Sequence, residues 1–114
     1  MESLKKELSA FAKERDWDKY HSPKNLAMAL SVEASELAEI FMWLSEEESK
    51  NLTKSKLANL KEEIGDVMIY LINIANKFGL DPLDCAKQKL ELNKTKYPTS
   101  LVKGSAKKYT EYNK

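Results

Sequence analysis

Two short acidic motifs contain the residues of this 114-residue chain whose types and spacing could do chemistry. Glu33 and Glu36 form one pair, and Glu63 and Asp66 form the other. Three residues apart on a helix, two side chains lie on adjoining turns about 60° apart, so both carboxylates can reach one point. Packed face to face, the two helices would offer four converging oxygen donors. A hard divalent cation turns the repulsion between such charges into attraction, and this all-oxygen set fits Mg²⁺ or Mn²⁺.

The apolar neighbours of two of these carboxylates favour a metal site over a solvated surface. Glu33 falls in the apolar stripe of its helix, between Leu30 and Leu37, and Asp66 directly precedes an apolar run. A charge among such neighbours is costly unless it is paired or binds a metal. Acidic pairs at this spacing are also common on solvated helix faces, so the residues alone leave both interpretations open.

A di-iron carboxylate bundle is the nearest chemical alternative. Such bundles use Glu-x-x-His pairs, and the single histidine, His21, is far along the chain from either motif. The single cysteine, Cys85, has no second Cys or His near it and is predicted to be a buried, inert thiol.

Composition argues against several classes of protein. With 42% hydrophobic and 32% charged residues, the composition is typical neither of a disordered protein nor of a membrane protein. A net charge of +1 gives no reason to expect a nucleic-acid polymer as partner. The longest apolar stretch, residues 67–75, is far shorter than the ~20 residues that span a bilayer. The charged start resembles no signal peptide, and with one cysteine it predicts a reducing cytoplasm.

The elements that must position the acidic pairs are predicted to be helices, since three Gly and three Pro provide too few turns for a many-stranded fold. Gly79 suits the left-handed position that ends a helix. Residues 45–48 are expected to be a polar break and residues 99–114 an irregular tail, which leaves 1–98 as one helical domain. The apolar periodicity predicts an all-α, four-helix bundle with helices at about 2–15, 24–44, 53–78 and 82–96.

The second half of the third predicted helix is apolar nearly all round. Such a helix lies centrally or is buried by a second subunit, and a chain of this size has little core in which to hide it. The sequence therefore predicts a homo-oligomer.

Two further groups of side chains could contact a ligand. Trp17 and Trp43 lie next to polar residues, where a flat base could stack, although packing at the edge of the core explains them as well. Lys89, Asn93 and Tyr97 follow at intervals of four on the fourth predicted helix. A solvated face is their default, but a cation, an amide and a phenol on one stripe could also hold phosphate or sugar.

Taken together, the motifs resemble the MazG-like all-α nucleotide pyrophosphohydrolases, in particular the dCTP pyrophosphatase branch. The resemblance covers almost the whole chain, and the order of its motifs is more specific than either acidic pair. It rests on residues 15–26 (RDWDKYHSPKNL), 33–43 (EASELAEIFMW), 62–67 (EEIGDV), 89–98 (KLELNKTKYP) and 104–110 (GSAKKYT).

The resemblance implies hydrolysis of a nucleoside triphosphate to the monophosphate and pyrophosphate by an enzyme that assembles as a dimer of dimers. It assigns both acidic pairs as catalytic Mg²⁺ ligands. Trp17 and Trp43 would frame the base, with dCTP or a modified dCTP favoured. The remaining implied contacts, to phosphate or sugar, come from His21, Lys89, Asn93 and Tyr97.

One departure from the resemblance concerns the base. Leu8 stands where the mammalian dCTP enzymes resemble one another in having a histidine. Two alternatives therefore stay open: a related all-α pyrophosphohydrolase acting on dUTP or phosphoribosyl-ATP, and a non-catalytic helical interaction module.

Overall fold

The computed structural model describes residues 1–99, which form helices joined by short loops and contain no strand. The prediction of an all-α fold is confirmed. The irregular tail predicted for residues 99–114 lies, except for its first residue, outside the described part of the chain. The helices are α1 (Glu2–Glu14), a short 3-10 helix (Asp18–Tyr20), α2 (Pro23–Met42), α3 (Glu46–Lys50), α4 (Lys54–Lys77) and α5 (Pro82–Lys96).

The short helix α3 corrects the prediction of four helices, because it replaces most of the expected polar break. Its start is a capping box: the Glu48 backbone N–H donates to Ser45 Oγ at 3.1 Å, and the Ser45 N–H donates to Glu48 Oε1 at 2.9 Å. These hydrogen bonds lower the pKa of Glu48. Acidic residues in the first turn also interact favourably with the helix dipole, so a polar segment without an apolar stripe can still be helical.

The loop between α1 and α2 is fixed to the first turn of α2. Ser22 is the N-cap of α2, and its Oγ accepts a hydrogen bond from the Asn25 backbone N–H at 3.1 Å. The Asn25 side chain donates to the Tyr20 carbonyl at 3.1 Å. Trp17 and His21 therefore lie in a loop whose C-terminal end is hydrogen-bonded to the first turn of α2.

The described chain divides into two compact units. The first, Met1–Asp81, holds α1 to α4: α2 packs along α4, and α1 packs against α4 as well. Leu26 and Ile72 are its largest fully buried side chains. The second unit begins at Pro82 and contains α5, where Lys94 and Glu91 form an ion pair at 3.1 Å. Cys85 lies on α5 and is exposed, so the prediction that its thiol is buried was wrong.

The boundary of α4 follows its sequence closely. Thr53 caps its start, where its hydroxyl accepts a hydrogen bond from the Lys56 backbone N–H at 3.2 Å. After its end, Gly79 has φ +65°, the left-handed conformation predicted for it.

The single chain leaves many apolar side chains on its surface. On α4, Ile64, Met68 and Leu71 are 47%, 37% and 39% exposed, and on α2 Met28 is 61% exposed. None of the helices described in residues 1–99, however, has the length and apolarity needed to cross a membrane. An exposed apolar surface of this extent on a small helical unit is typical of a protein that associates with another protein surface.

Replacing Ile72 with alanine is expected to lower the free energy of unfolding by about 2–5 kcal/mol, because the Ile72 side chain is fully buried and its truncation leaves a cavity. Urea denaturation followed by circular dichroism measures the change. The matched control is Leu57→Ala on the same helix, where the side chain is 44% exposed. Equal losses in the two variants would contradict the assignment of Ile72 to the core.

Candidate active site

The packing of α2 along α4 brings the two acidic pairs together. Carboxylate oxygens of Glu33, Glu36 and Glu63 all lie within 4.8 Å of one another. Asp66, one turn further along α4, adds a negative charge that both Glu33 and Glu63 experience. These four residues are called the acidic cluster below.

Part of the acidic cluster is removed from water. Glu33 and Glu63 are half-buried, and the Oε2 atom of each is buried without a hydrogen-bond partner among the described residues. Buried polar atoms in folded proteins nearly always have a partner, and a carboxylate oxygen accepts either a proton or a cation. With four carboxylates as donors, the cluster fits a hard divalent cation.

Burial and mutual repulsion change the acidity of the cluster. Burial raises the pKa of Glu33 from 4.5 to about 7, and a hydrogen bond with Glu36 and the charges of Glu36, Asp66 and Glu63 contribute in the same direction. Burial, followed by the charges of Glu36 and Asp66, also raises the pKa of Glu63. Without a cation the cluster therefore retains a proton near neutral pH.

A cavity of about 230 Å³ adjoins the acidic cluster, and Asp66 forms part of its wall. Trp17 lies edge-on to Phe11, with ring centroids 5.5 Å apart, and its ring is 6.5 Å from that of His21. A largely apolar and aromatic wall suits a flat ring with some polar groups. The residues lining this aromatic cavity are Leu8, Phe11, Ala12, Trp17, His21, Asp66, Ile69, Tyr70 and Asn73.

The structure brings some of the predicted site residues together and leaves others apart. Trp17, His21 and Asp66 share the aromatic cavity. Trp43 directly follows α2, is 87% exposed and is not among the residues lining that cavity. Lys89 and Asn93 lie on α5 in the second compact unit, and the Tyr97 backbone N–H donates to the Asn93 carbonyl at 2.8 Å.

Several lining residues were not identified as site residues from the sequence. Leu8, the position that the resemblance associates with the base, does line the cavity. Phe11 belongs to the apolar stripe of α1 and has no polar feature that would distinguish it. Tyr70 and Asn73 do have a detectable signal, since they follow Asp66 by four and seven residues and so share its face of α4. Asn73 is also the one polar residue in the apolar stretch 67–75.

Comparison with known proteins gives a consistent family. Residues 28–112 match the model of the MazG-like family. The human and mouse proteins named dCTP pyrophosphatase 1 are 37% and 39% identical to the chain in alignments of 113 positions, which cover 97% of it. The chain spans 66% of the length of these curated relatives.

A solved structure has the same fold. The crystal structure of a pyrophosphatase from Archaeoglobus fulgidus DSM 4304 superposes with a TM-score of 0.80 and is 41% identical in sequence. The match covers 86% of this chain and 92% of that one.

The raised pKa of Glu33 predicts that protons and metal ions compete for the acidic cluster. Because a cation binds the carboxylate form, affinity for Mn²⁺ is expected to increase about tenfold from pH 6 to pH 8, through a pKa of about 7. Isothermal titration calorimetry without nucleotide measures this affinity.

The raised pKa of Glu33 also affects stability when no metal is bound. Between pH 4.5 and 7 the Glu33 carboxylate binds more protons in the folded state than in the unfolded state. Its contribution to the free energy of unfolding is therefore lost as the pH rises through that window.

Glu33→Gln is expected to weaken Mn²⁺ binding and to remove most of its pH dependence. Glu39→Gln is the control, because Glu39 is an exposed residue of α2 outside the acidic cluster. Binding that is the same at both pH values in the unmodified protein would contradict the prediction.

Proposed function

The chain belongs to the MazG-like family, and on that premise we propose that it hydrolyses a nucleoside triphosphate between the α and β phosphates, releasing a monophosphate and pyrophosphate. The observation that supports this most directly is the position of Asp66. Asp66 belongs to the acidic cluster and also to the wall of the aromatic cavity. The proposed cation site and the proposed base site therefore adjoin each other at this residue.

The proposed cofactor is Mg²⁺, with Mn²⁺ able to replace it, and the residues that hold it are Glu33, Glu36, Glu63 and Asp66. Glu33 Oε2 and Glu63 Oε2 support this assignment, because both atoms are buried and have no hydrogen-bond partner in the described part of the chain. A bound cation of this kind shields phosphate charge and helps to orient the attacking water.

The reaction requires a proton acceptor and positive charge from the protein. In-line attack of water at the α phosphorus increases the charge on a triphosphate that already carries about four negative charges. One of the α2 pair, Glu33 or Glu36, accepts the proton of the water. Lys89 stabilises phosphate charge as a point cation, while His21, Asn93 and Tyr97 hold phosphate or sugar.

We propose dCTP or a modified dCTP as the favoured substrate. The names of the curated relatives support cytosine, and the size of the aromatic cavity suits a single base rather than a whole nucleotide. Trp17 stacks on the base from within the cavity. Trp43, which is highly exposed, completes the frame in the assembled protein.

The assembly proposed here is a homo-oligomer, a dimer or a tetramer, located in the cytoplasm. The exposed apolar residues of α4 support it, because they form a surface that water does not favour. We propose that residues 1–98 act as one pyrophosphohydrolase domain, with residues 99–114 as its tail.

Glu63→Gln is expected to lower turnover at least about a thousandfold with little change in helical content, because it removes one charge from the cation site. The assay measures monophosphate and pyrophosphate separately, with and without Mg²⁺, over a panel that includes dCTP, dUTP and phosphoribosyl-ATP. Glu62→Gln is the control, since the adjacent side chain is exposed and outside the acidic cluster.

The same assay separates the alternatives. Inorganic phosphate as the product would replace the proposed reaction by a different phosphohydrolase. No product from any nucleotide would favour a non-catalytic helical module. Full activity of Glu63→Gln would refute the metal assignment but not the reaction.

Sedimentation equilibrium is expected to give the mass of a dimer or a tetramer. Met68→Lys, which places a charge among the exposed apolar residues of α4, is expected to shift the protein toward monomer. Asn59→Lys on the exposed surface of the same helix should leave the mass unchanged. A monomeric unmodified protein would contradict the proposed assembly.

A further inference from the structure

Asn73 is an unusual residue for its position on α4. It is half-buried, flanked by Ile72 and Ile74, and lines the aromatic cavity together with apolar residues. Within residues 1–99 its side-chain amide makes no hydrogen bond, whereas the amide of Asn76, one turn later, donates to the Lys5 carbonyl at 3.2 Å. A polar group placed in an apolar wall without a protein partner is available to a ligand.

The placement of Asn73 relative to the acidic cluster fits one bound nucleotide. Asp66 and Asn73 lie on the same face of α4, and seven residues of helix separate them by about 10 Å along its axis. This is on the scale of a nucleoside, measured from the phosphate end to the far edge of the base. A triphosphate held at the cluster would therefore direct its base toward Asn73.

Among the polar side chains of the aromatic cavity, Asn73 has the chemistry to recognise a base edge. Its amide offers a donor and an acceptor side by side, which matches the paired groups at positions 3 and 4 of a pyrimidine. The Tyr70 hydroxyl cannot offer a donor and an acceptor as two adjacent atoms, and Asp66 already belongs to the acidic cluster. His21 also borders a smaller and more polar cavity of about 160 Å³, which Asn73 reaches as well.

We infer that Asn73 is a specificity-determining residue that hydrogen-bonds the edge of a pyrimidine base in the aromatic cavity. The inference rests on the proposed function and names the group that recognises its substrate. No neighbour among the described residues fixes the amide by a hydrogen bond, so it can turn by 180°. One orientation pairs with the 4-amino group and N3 of cytosine, and the other with the 4-oxo group and N3–H of uracil.

The test compares substrates that differ at position 4 of the base and, in dUTP, also by the proton on N3. The probes are dCTP, dUTP and the 2-pyrimidinone deoxynucleoside triphosphate, which has hydrogen at that position. The unmodified protein is expected to have a kcat/KM at least about tenfold higher for dCTP and for dUTP than for the 2-pyrimidinone analogue. In Asn73→Ala and Asn73→Leu, the kcat/KM for dCTP and the kcat/KM for dUTP are each expected to come within about twofold of the value for the 2-pyrimidinone analogue.

The loss should appear mainly in KM, because the contact is remote from the reacting phosphorus and is made equally in the ground and transition states. Asn73→Leu provides a second variant that matches its apolar neighbours, and circular dichroism checks the fold of both. The control is Asn59→Ala, an exposed asparagine of the same helix, which should leave every ratio unchanged.

Each result has a separate meaning. Ratios that stay the same in the Asn73 variants, with hydrolysis intact, overturn the role of Asn73 and leave the proposed function standing. If the Asn73 variants lose the preference over the 2-pyrimidinone analogue for cytosine alone or for uracil alone, the inference that the amide turns to pair with both bases is overturned. Absence of hydrolysis of any triphosphate by the unmodified protein overturns the proposed function and this inference with it.

Discussion

Repulsion among half-buried carboxylates is the constraint on which the rest of the structure depends. Three glutamates have oxygens within 4.8 Å of one another, and two of those residues have a buried oxygen without a partner among residues 1–99. Nothing in the chemistry of carboxylates favours such a cluster by itself, since burial and like charge both oppose ionisation. It persists because the packing of α2 along α4, secured by buried residues such as Leu26 and Ile72, holds the side chains together.

One helix orders the site from end to end. Glu63 and Asp66 belong to the acidic cluster, and Asp66, Tyr70 and Asn73 continue along the same face of α4 into the aromatic cavity. Helix α1 and the loop after it close this cavity with Phe11 and Trp17. Because an α-helix has a fixed rise, the separation between the acidic cluster and Asn73 is set by sequence spacing alone. In the proposed function, this spacing along one rigid helix would match the length of the bound nucleoside.

Local rules explain how much of this could be predicted from the sequence. The starts of α2 and α4, the left-handed Gly79 and the spacing of the acidic pairs depend on residues within one or two turns, and all were predicted. The helix α3 was missed because its stability comes from a capping box rather than from an apolar stripe. The aromatic cavity depends on α1 packing against α4, and the residues of these two helices that line it are more than 50 positions apart in the sequence. No local pattern encodes a contact over that separation.

Helix α4 has carboxylates on one side and exposed apolar residues on the other, and this arrangement links the site to the proposed assembly. Ile64, Met68 and Leu71 point nearly opposite to the face that holds Asp66 and Asn73, by the 100° turn per residue of a helix. Since carboxylates occupy the side facing α2, these apolar residues cannot be buried there without separating the cluster. They stay exposed in the single chain, and their burial requires another surface. The homo-oligomer proposed above would cover this side of α4, and the need for such cover follows from the charge that the site concentrates on the other side.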